Sequence, residues 1–374
     1  MKPRVKDIAR IMEQHFPPEL AENWDNVGLQ TGSLERSARR VMVCLDLTEP
    51  ILTKAESDHV NLIITHHPLF FRAIKGINLD KPFGRMIEKL LKNDITVYSA
   101  HTNLDAGTRG LNQLLAETLG LADIKPLERM KTERYLKLVV FVPAACTEAV
   151  RQAINEAGAG FIGNYSDCSF RTRGTGTFKP QPGTNPFIGT TGQLEEVDEY
   201  RLETIVPEKK VDAVISNMKK AHPYEEVAYD LYPLANEGPG YSLGRQGRLE
   251  STVTVEEFAL QVKDRLQLDS VRVAGDLKRS IREVAVVSGA GAEFINKVKA
   301  QGIDLLVTGD LKYHEARDAE LLGLAVIDAG HQGTEEIMVP YIKTLLENEC
   351  RNNGYEVIIE GIKSDLCIKT LSRK

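Results

Sequence analysis

A chain of 374 residues, 42% hydrophobic and 27% charged, exceeds what one hydrophobic core usually organises, so two or more domains are expected. A formal net charge of −6 without any Lys/Arg-rich block argues against a protein dedicated to nucleic acid. Five scattered cysteines (Cys44, Cys146, Cys168, Cys350 and Cys367), none in a Cys-x-x-Cys pair, argue against a disulfide framework and against a thiolate zinc site.

The opening stretch MKPRVKDIARIMEQHF lacks the apolar centre of a signal peptide, and no run approaches the length of a membrane span, so a cytoplasmic protein without a membrane partner is expected. Val5, Ile8, Ile11 and Met12 instead predict an amphipathic helix. Two apolar strands follow, VMVCLD (41–46) and VNLIITHHPLFF (60–71), and the second runs straight into two histidines and a proline. ITVYSAHTNLD (95–105) is a third strand that leads into the helical pattern GLNQLLAETLG. Residues 131–235 read differently. YLKLVVFVP, DCSFRTRGTGTF, EYRLETIVP and EEVAYDLYPL are strands, while TEAVRQAINEAG and KKVDAVISNMKKA are helices. That β-α-β-β-α-β order is ferredoxin-like. Gly/Pro-rich loops mark its interior (KPQPGTNPFIG) and its exit (NEGPGYSLGRQG). Beyond it come VAVVSG (284–289), IDLLVTGDLKYH (303–314), LAVIDAGHQGTE (324–335) and the helical EEIMVPYIKTLL.

Shifted by a constant offset, VMVCLD lies over VAVVSG, and VNLIITHHPLFF over IDLLVTGDLKYH, without a gap. The third strands also correspond. The expected fold class is therefore α/β: two duplicated halves with mainly parallel sheets (1–130 and 236–374), interrupted by an inserted ferredoxin-like domain (131–235). SGAGAEF (288–294) suits either a phosphate-cradling turn or a tight turn of helix onto sheet, and GYSLGRQG (240–247) reads as an irregular link.

Ligand-binding groups in open parallel sheets sit beyond the carboxyl ends of the strands. His66 and His67 occupy such an end. His101 with Asp105, and His331 with Glu335, repeat a His-x-x-x-acid pattern at the third strand of each half. Imidazole with carboxylate and no thiolate suits zinc, manganese, iron, cobalt or nickel, and five or six donors with two carboxylates fit a pair of ions better than one. Adjacent residues of an ideal strand face opposite ways, so His66 and His67 should serve different ions or use the break made by Pro68. His15, His59 and His314 fall in predicted helices without matched acids and read as surface or capping residues. His222, in AHPYEEVAYD, reads as a loop hydrogen-bonding residue.

Five motifs, WDNVGLQTG (24–32), THHPLFF (65–71), SAHTNLDAG (99–107), LVTGDLKYHEA (306–316) and DAGHQGTE (328–335), resemble those of the GTP cyclohydrolase 1 type 2 homologues. These are also called Ngg-interacting-factor-three-like dinuclear-metal hexameric proteins. The resemblance implies that His66, His67, Asp105, His331 and Glu335 are the ligands of two divalent metal ions per chain, zinc first among the candidates. It places His101 beside the metals, in an orienting or proton-transfer role. It further implies a toroidal homohexamer with the sites facing an internal cavity. The insert would be the PII/CutA-like domain of longer bacterial members, dispensable for the metal site and controlling access to it. The implied activity is metal-dependent hydrolysis, in which a metal-bound hydroxide attacks C8 of a purine nucleotide such as GTP, opens the ring and releases formate. A dimetal phosphoester or amide hydrolase needs the same centre with a different pocket, and a non-enzymatic metal-delivery or regulatory protein needs the site alone.

Overall fold

The computed structural model describes residues 1–128, 131–236, 238 and 240–369. Two compact units are present. Met1–Lys131 and Tyr241–Lys374 make one, and Thr132–Gly240 make the other. The sequence boundary drawn after residue 130 falls at the undescribed residues 129 and 130, and Glu237 and Pro239 of the Gly/Pro-rich exit also lie outside the described residues.

The first unit contains two sheets whose registers repeat. Arg40–Cys44, Leu62–Thr65 and Thr96–Ser99 run parallel, with Val41 beside Leu62 and Leu62 beside Thr96. Ser280–Ala290, Leu305–Gly309 and Ala325–Asp328 do the same, with Val284 beside Leu305 and Leu305 beside Ala325. In each sheet a short antiparallel strand flanks the third of these, Gly28–Thr31 in one and Arg272–Ala274 in the other. The opposite edges differ. Ile358–Gly361 lies parallel to Arg40–Cys44, whereas Arg245–Thr254 and then Ala122–Pro126 extend the second sheet antiparallel. Each sheet thus borrows one edge strand from the other half of the sequence.

Both faces of both sheets are covered, which is why the strands read as continuous apolar runs. Val41, Val43, Leu62 and Ile64 pack against the helices Val5–His15 and Met338–Asn352. Met42, Cys44, Ile63 and Val97 face Ile51, Leu52 and Ala55 of the helix Glu49–Ser57. In the second sheet Val284, Val286, Leu305 and Val307 meet Phe258 and Val262 of the helix Val255–Arg265. Ala285, Leu306 and Val326 meet Ile295, Val298 and Ala319. The start of the helix Val255–Arg265 is fixed by a reciprocal cap. Glu257 N donates to Thr254 Oγ1 (3.2 Å), and Thr254 N donates to Glu257 Oε2 (2.7 Å). Such closed layers leave the carboxyl ends of the parallel strands as the place where polar side chains can gather.

The second unit has the strands Tyr135–Pro143, Ser169–Phe178, Glu195–Pro207 and Tyr229–Pro233. Their spatial order is fourth, first, third, second, with every neighbour antiparallel. The helices Thr147–Glu156 and Val211–Ala221 cover one face, over Leu138, Val140, Val142, Leu202 and Val206. This is the ferredoxin-like arrangement. His222 is satisfied within it, donating from Nε2 to Phe141 O (3.0 Å) and accepting at Nδ1 from Tyr224 N (3.1 Å).

Three local expectations change. Arg245–Gly247 open a ten-residue strand instead of belonging to an irregular link, because the buried Arg245 side chain anchors them. His59 is not helical. It sits at φ 54° just past the helix Glu49–Ser57, where the chain must reverse into the next strand. His15 does have an acid, Glu349, 3.0 Å away across two packed helices, a pairing distant in sequence.

Candidate metal centre

The strand Leu62–Thr65 stops because His66 N and His67 N both turn to Leu45 O (3.2 Å each), and Pro68 cannot donate to a further ladder bond. Released from strand geometry, both imidazoles point into one space, with ring centroids 5.1 Å apart. His101 follows the strand Thr96–Ser99 and precedes the short helix Thr102–Ala106, which carries Asp105. His331 and Glu335 are the first and last residues of the helix His331–Glu335, which follows Ala325–Asp328. The two His-x-x-x-acid pairs therefore differ by one residue in their placement. His101 sits before its helix, whereas His331 opens its own.

All six residues converge. His67 Nε2, His331 Nε2 and Glu335 Oε2 form a triangle with sides of 3.1, 3.2 and 3.3 Å. His66 Nε2 lies 3.6 Å from Asp105 Oδ1 and 3.7 Å from Glu335 Oε1. His66, His67 and His101 each bring a ring nitrogen within 4.8 Å of the others. Metal–ligand bonds of about 2.1 Å in a tetrahedron put donors about 3.4 Å apart, so these spacings suit shared cations. His66 Nε2 and Glu335 Oε2 are buried without a hydrogen-bond partner, which is costly unless a cation takes their lone pairs.

The opposite nitrogen of each ring is committed elsewhere. His66 Nδ1 donates to Ala100 O (2.9 Å), and since a carbonyl only accepts, that nitrogen carries a proton and in the neutral ring Nε2 keeps the lone pair. His67 Nδ1 faces Asp46 Oδ1 (2.7 Å), His101 Nδ1 faces Asp25 Oδ1 (2.9 Å) and His331 Nδ1 faces Asp310 Oδ2 (2.8 Å). Asp25 is fixed in turn by Thr102 N (3.0 Å) and the Thr102 hydroxyl. Ser288 Oγ donates to Asp105 Oδ1 (3.2 Å). Carboxylates behind imidazoles fix ring orientation and raise the basicity of the free nitrogen.

Five carboxylates facing four imidazoles make the cluster a trap for positive charge. Without a metal, protons supply that charge. Burial opposes protonation of His67, but Asp46 and Glu335 outweigh it and push the imidazole up to about 10. The Glu335 carboxylate facing it, with Asp310 behind, outweighs burial and raises His331 to about 9. Burial also works against the charge of Asp25, yet His101 and Thr102 hold it down to about 2. Glu335 is buried, but His66, His331 and His67 keep it ionised. Burial and the neighbouring Glu335 push Asp105 up. Metal binding displaces such protons, so the set could hold a metal ion in their place.

Sequence reasoning did not single out Asp25, Asp46, Asp310 or Ser288. Asp46 and Asp310 each lie just past a strand's carboxyl end, and Asp310 falls under His67 in the repeat alignment, so the strand-end rule contained both. SGAGAEF carries no phosphate cradle: Ser288 N, Gly289 N and Gly291 N are already taken by Asn112, Thr334 and Thr308. Its glycines serve packing. A Cβ on Gly289, at φ +61°, would lie 2.4 Å from Glu335 Oε1.

Comparison with known proteins places these observations among relatives. The family model for Duf34/NIF3 (NGG1p interacting factor 3) matches residues 3–365. Proteins of Halalkalibacterium halodurans and Bacillus subtilis, each named a GTP cyclohydrolase 1 type 2 homolog, are 46% identical over 360 residues, covering 96% of this chain and 96% of each relative. The crystal structure of a Bacillus cereus protein related to NIF3 superposes with a TM-score of 0.91 at 43% identity, over all of both chains.

Proposed function

This chain belongs to the Duf34/NIF3 family, and from that membership together with the donor cluster we propose that it is a dinuclear metal-dependent hydrolase acting on a purine nucleotide, with GTP as the first candidate substrate. The observation that carries the reading is the convergence of His66, His67, His331, Glu335 and Asp105 with the opposite nitrogen of every imidazole already engaged. His66, His67, Asp105, His331 and Glu335 would hold two divalent ions, zinc first among them. Such ions supply Lewis acidity and lower the pKa of a coordinated water toward neutrality.

The chain's own residues do the rest. Asp46 and Asp310 lock the rings of His67 and His331 so that their Nε2 lone pairs face inward. Asp25 holds His101 with Nε2 free, and His101 is the group placed to take a proton from water and return it to a leaving nitrogen. Glu335, aimed at three imidazoles, is the carboxylate positioned to be shared. A toroidal homohexamer, with the PII/CutA-like insert governing access, is the assembly proposed with this function. Among the described residues no helix is long and apolar enough to cross a membrane.

The test is formate release from GTP by metal-reconstituted protein, with Asp105→Ala treated identically. Release by the wild type alone supports the reading. Release that persists in metal-free protein, or none with any divalent ion, removes it.

A further inference from the structure

Three side chains of the segment WDNVGLQ (24–30) have a polar purpose. Asp25 holds His101 and Thr102. Asn26 Nδ2 donates to Phe70 O (2.9 Å), Gln30 Oε1 accepts from Phe70 N (3.2 Å), and Gln30 Nε2 closes back onto Asn26 O (2.8 Å). These bonds clamp the segment to the PLFF turn that follows the two histidines. Trp24 has no such explanation. It is the chain's single tryptophan and is 58% exposed, although the residues beside it are fixed.

Its neighbour across the clamp is Phe71, 52% exposed, with ring centroids 5.7 Å apart and planes tilted by 55°. Both rings also flank the buried His101. Trp24 lies 6.0 Å from the imidazole at 73°, and Phe71 lies 6.1 Å from it at 69°. Two large aromatic faces are therefore held in solvent, by a rigid hydrogen-bonded clamp, at the rim of the donor cluster. Core packing does not account for that placement.

We propose that Trp24 and Phe71 form a stacking platform for a planar heteroaromatic ring, which presents that ring's edge to His101 and the metal centre. The proposal rests on the reading of the cluster as a hydrolytic metal centre and adds to it the side chains that would hold the substrate's ring. A ring cannot slip between the two side chains, because a sandwich needs two contacts of about 3.5 Å, about 7 Å in all, against the 5.7 Å present. It stacks on the outward face of Trp24, while Phe71, inclined to it by 55°, meets the edge of the stacked ring. Stacking tolerates any flat π-system, so the platform selects a class, such as purines and pteridines, and leaves the choice within it to hydrogen bonds.

Because Trp24 is the only tryptophan, its emission reports on the platform alone. The full-length, zinc-loaded protein is titrated with GTP and, separately, with inorganic triphosphate, which lacks the ring. GTP is expected to quench the emission saturably and triphosphate to leave it unchanged. Phe71→Leu should weaken GTP at least about five-fold with zinc content unaltered. By calorimetry, Trp24→Phe should retain most of the affinity while Trp24→Leu loses it. Equal quenching by triphosphate, no quenching by GTP, or wild-type affinity in both leucine variants overturns the platform. These readouts need no turnover. Quenching without formate release keeps the platform and discards the hydrolysis, whereas formate release at an unchanged KM in Trp24→Leu keeps the hydrolysis and discards the platform.

Discussion

Each histidine at the centre is a two-ended device, and its two ends differ in how legible they were. The inward donors could be read because they recur at strand ends with a fixed spacing. The carboxylates that aim them could not be ranked in the same way, since an aspartate past a strand is also an ordinary turn residue, and Asp25, Asp46 and Asp310 come from three separate loops. Their importance follows from geometry. Replacing Asp310 by Asn keeps the shape but removes the charge behind His331 Nδ1, 2.8 Å away. Metal affinity should fall about 10–100-fold, measured by competition with a chromophoric chelator, and Asp46→Asn should act alike through His67. Affinity unchanged in both variants would mean that the carboxylates merely cap exposed imidazoles. Gly289→Ala tests the same site by volume. Its methyl would sit 2.4 Å from Glu335 Oε1, so the folded protein should bind fewer metal ions per chain by elemental analysis.

Between elements, the strands, the helices and the ferredoxin-like order were legible because period and length carry them. One connection was not. Arg245, 2% exposed, looked like part of a loop, yet it donates to Gly107 O (2.6 Å), Ser242 O (2.8 Å) and Gly244 O (3.1 Å), and to Gln113 Oε1 (3.2 Å). Burial pulls its guanidinium down to about 10, which leaves it charged at neutral pH, with carbonyl oxygens where a carboxylate would be expected. Such a partner set has no sequence signature, because carbonyls belong to every residue. It joins the turn after Asp105 to the second sheet. Arg245→Met would strand several buried carbonyls at about 1–3 kcal/mol each, so urea unfolding should show a loss of about 3 kcal/mol or more. Arg245→Lys should not restore it, since an ammonium cannot span the same fork of acceptors. A loss below about 1 kcal/mol in Arg245→Met would show that water replaces the guanidinium at little cost.

At the scale of the molecule, the duplication was legible as a constant offset, whereas the exchange of edge strands between halves was not, because Ala122–Pro126 and Ile358–Gly361 pair with partners far away in sequence. The donors are divided in the same way: His66, His67 and Asp105 come from the first half, His331 and Glu335 from the second. A cation bound there would tie the two halves together, and its removal would leave buried lone pairs facing one another. Anything that binds only the folded state stabilises it by mass action, about 2.7 kcal/mol at one hundred times its Kd. The insert is different, since its core of Leu138, Val140, Ile154, Leu202 and Met218 shares no residue with the clusters around the two sheets. Calorimetry should accordingly resolve two unfolding transitions. Chelation should lower the midpoint of the larger one by several degrees and leave the other in place, and added zinc should restore the first. Glu335→Gln should abolish that zinc-dependent recovery, because the amide withdraws the charge aimed at three imidazoles. If both transitions move together on chelation, the metal is coupled to the insert as well, and the two units do not unfold independently.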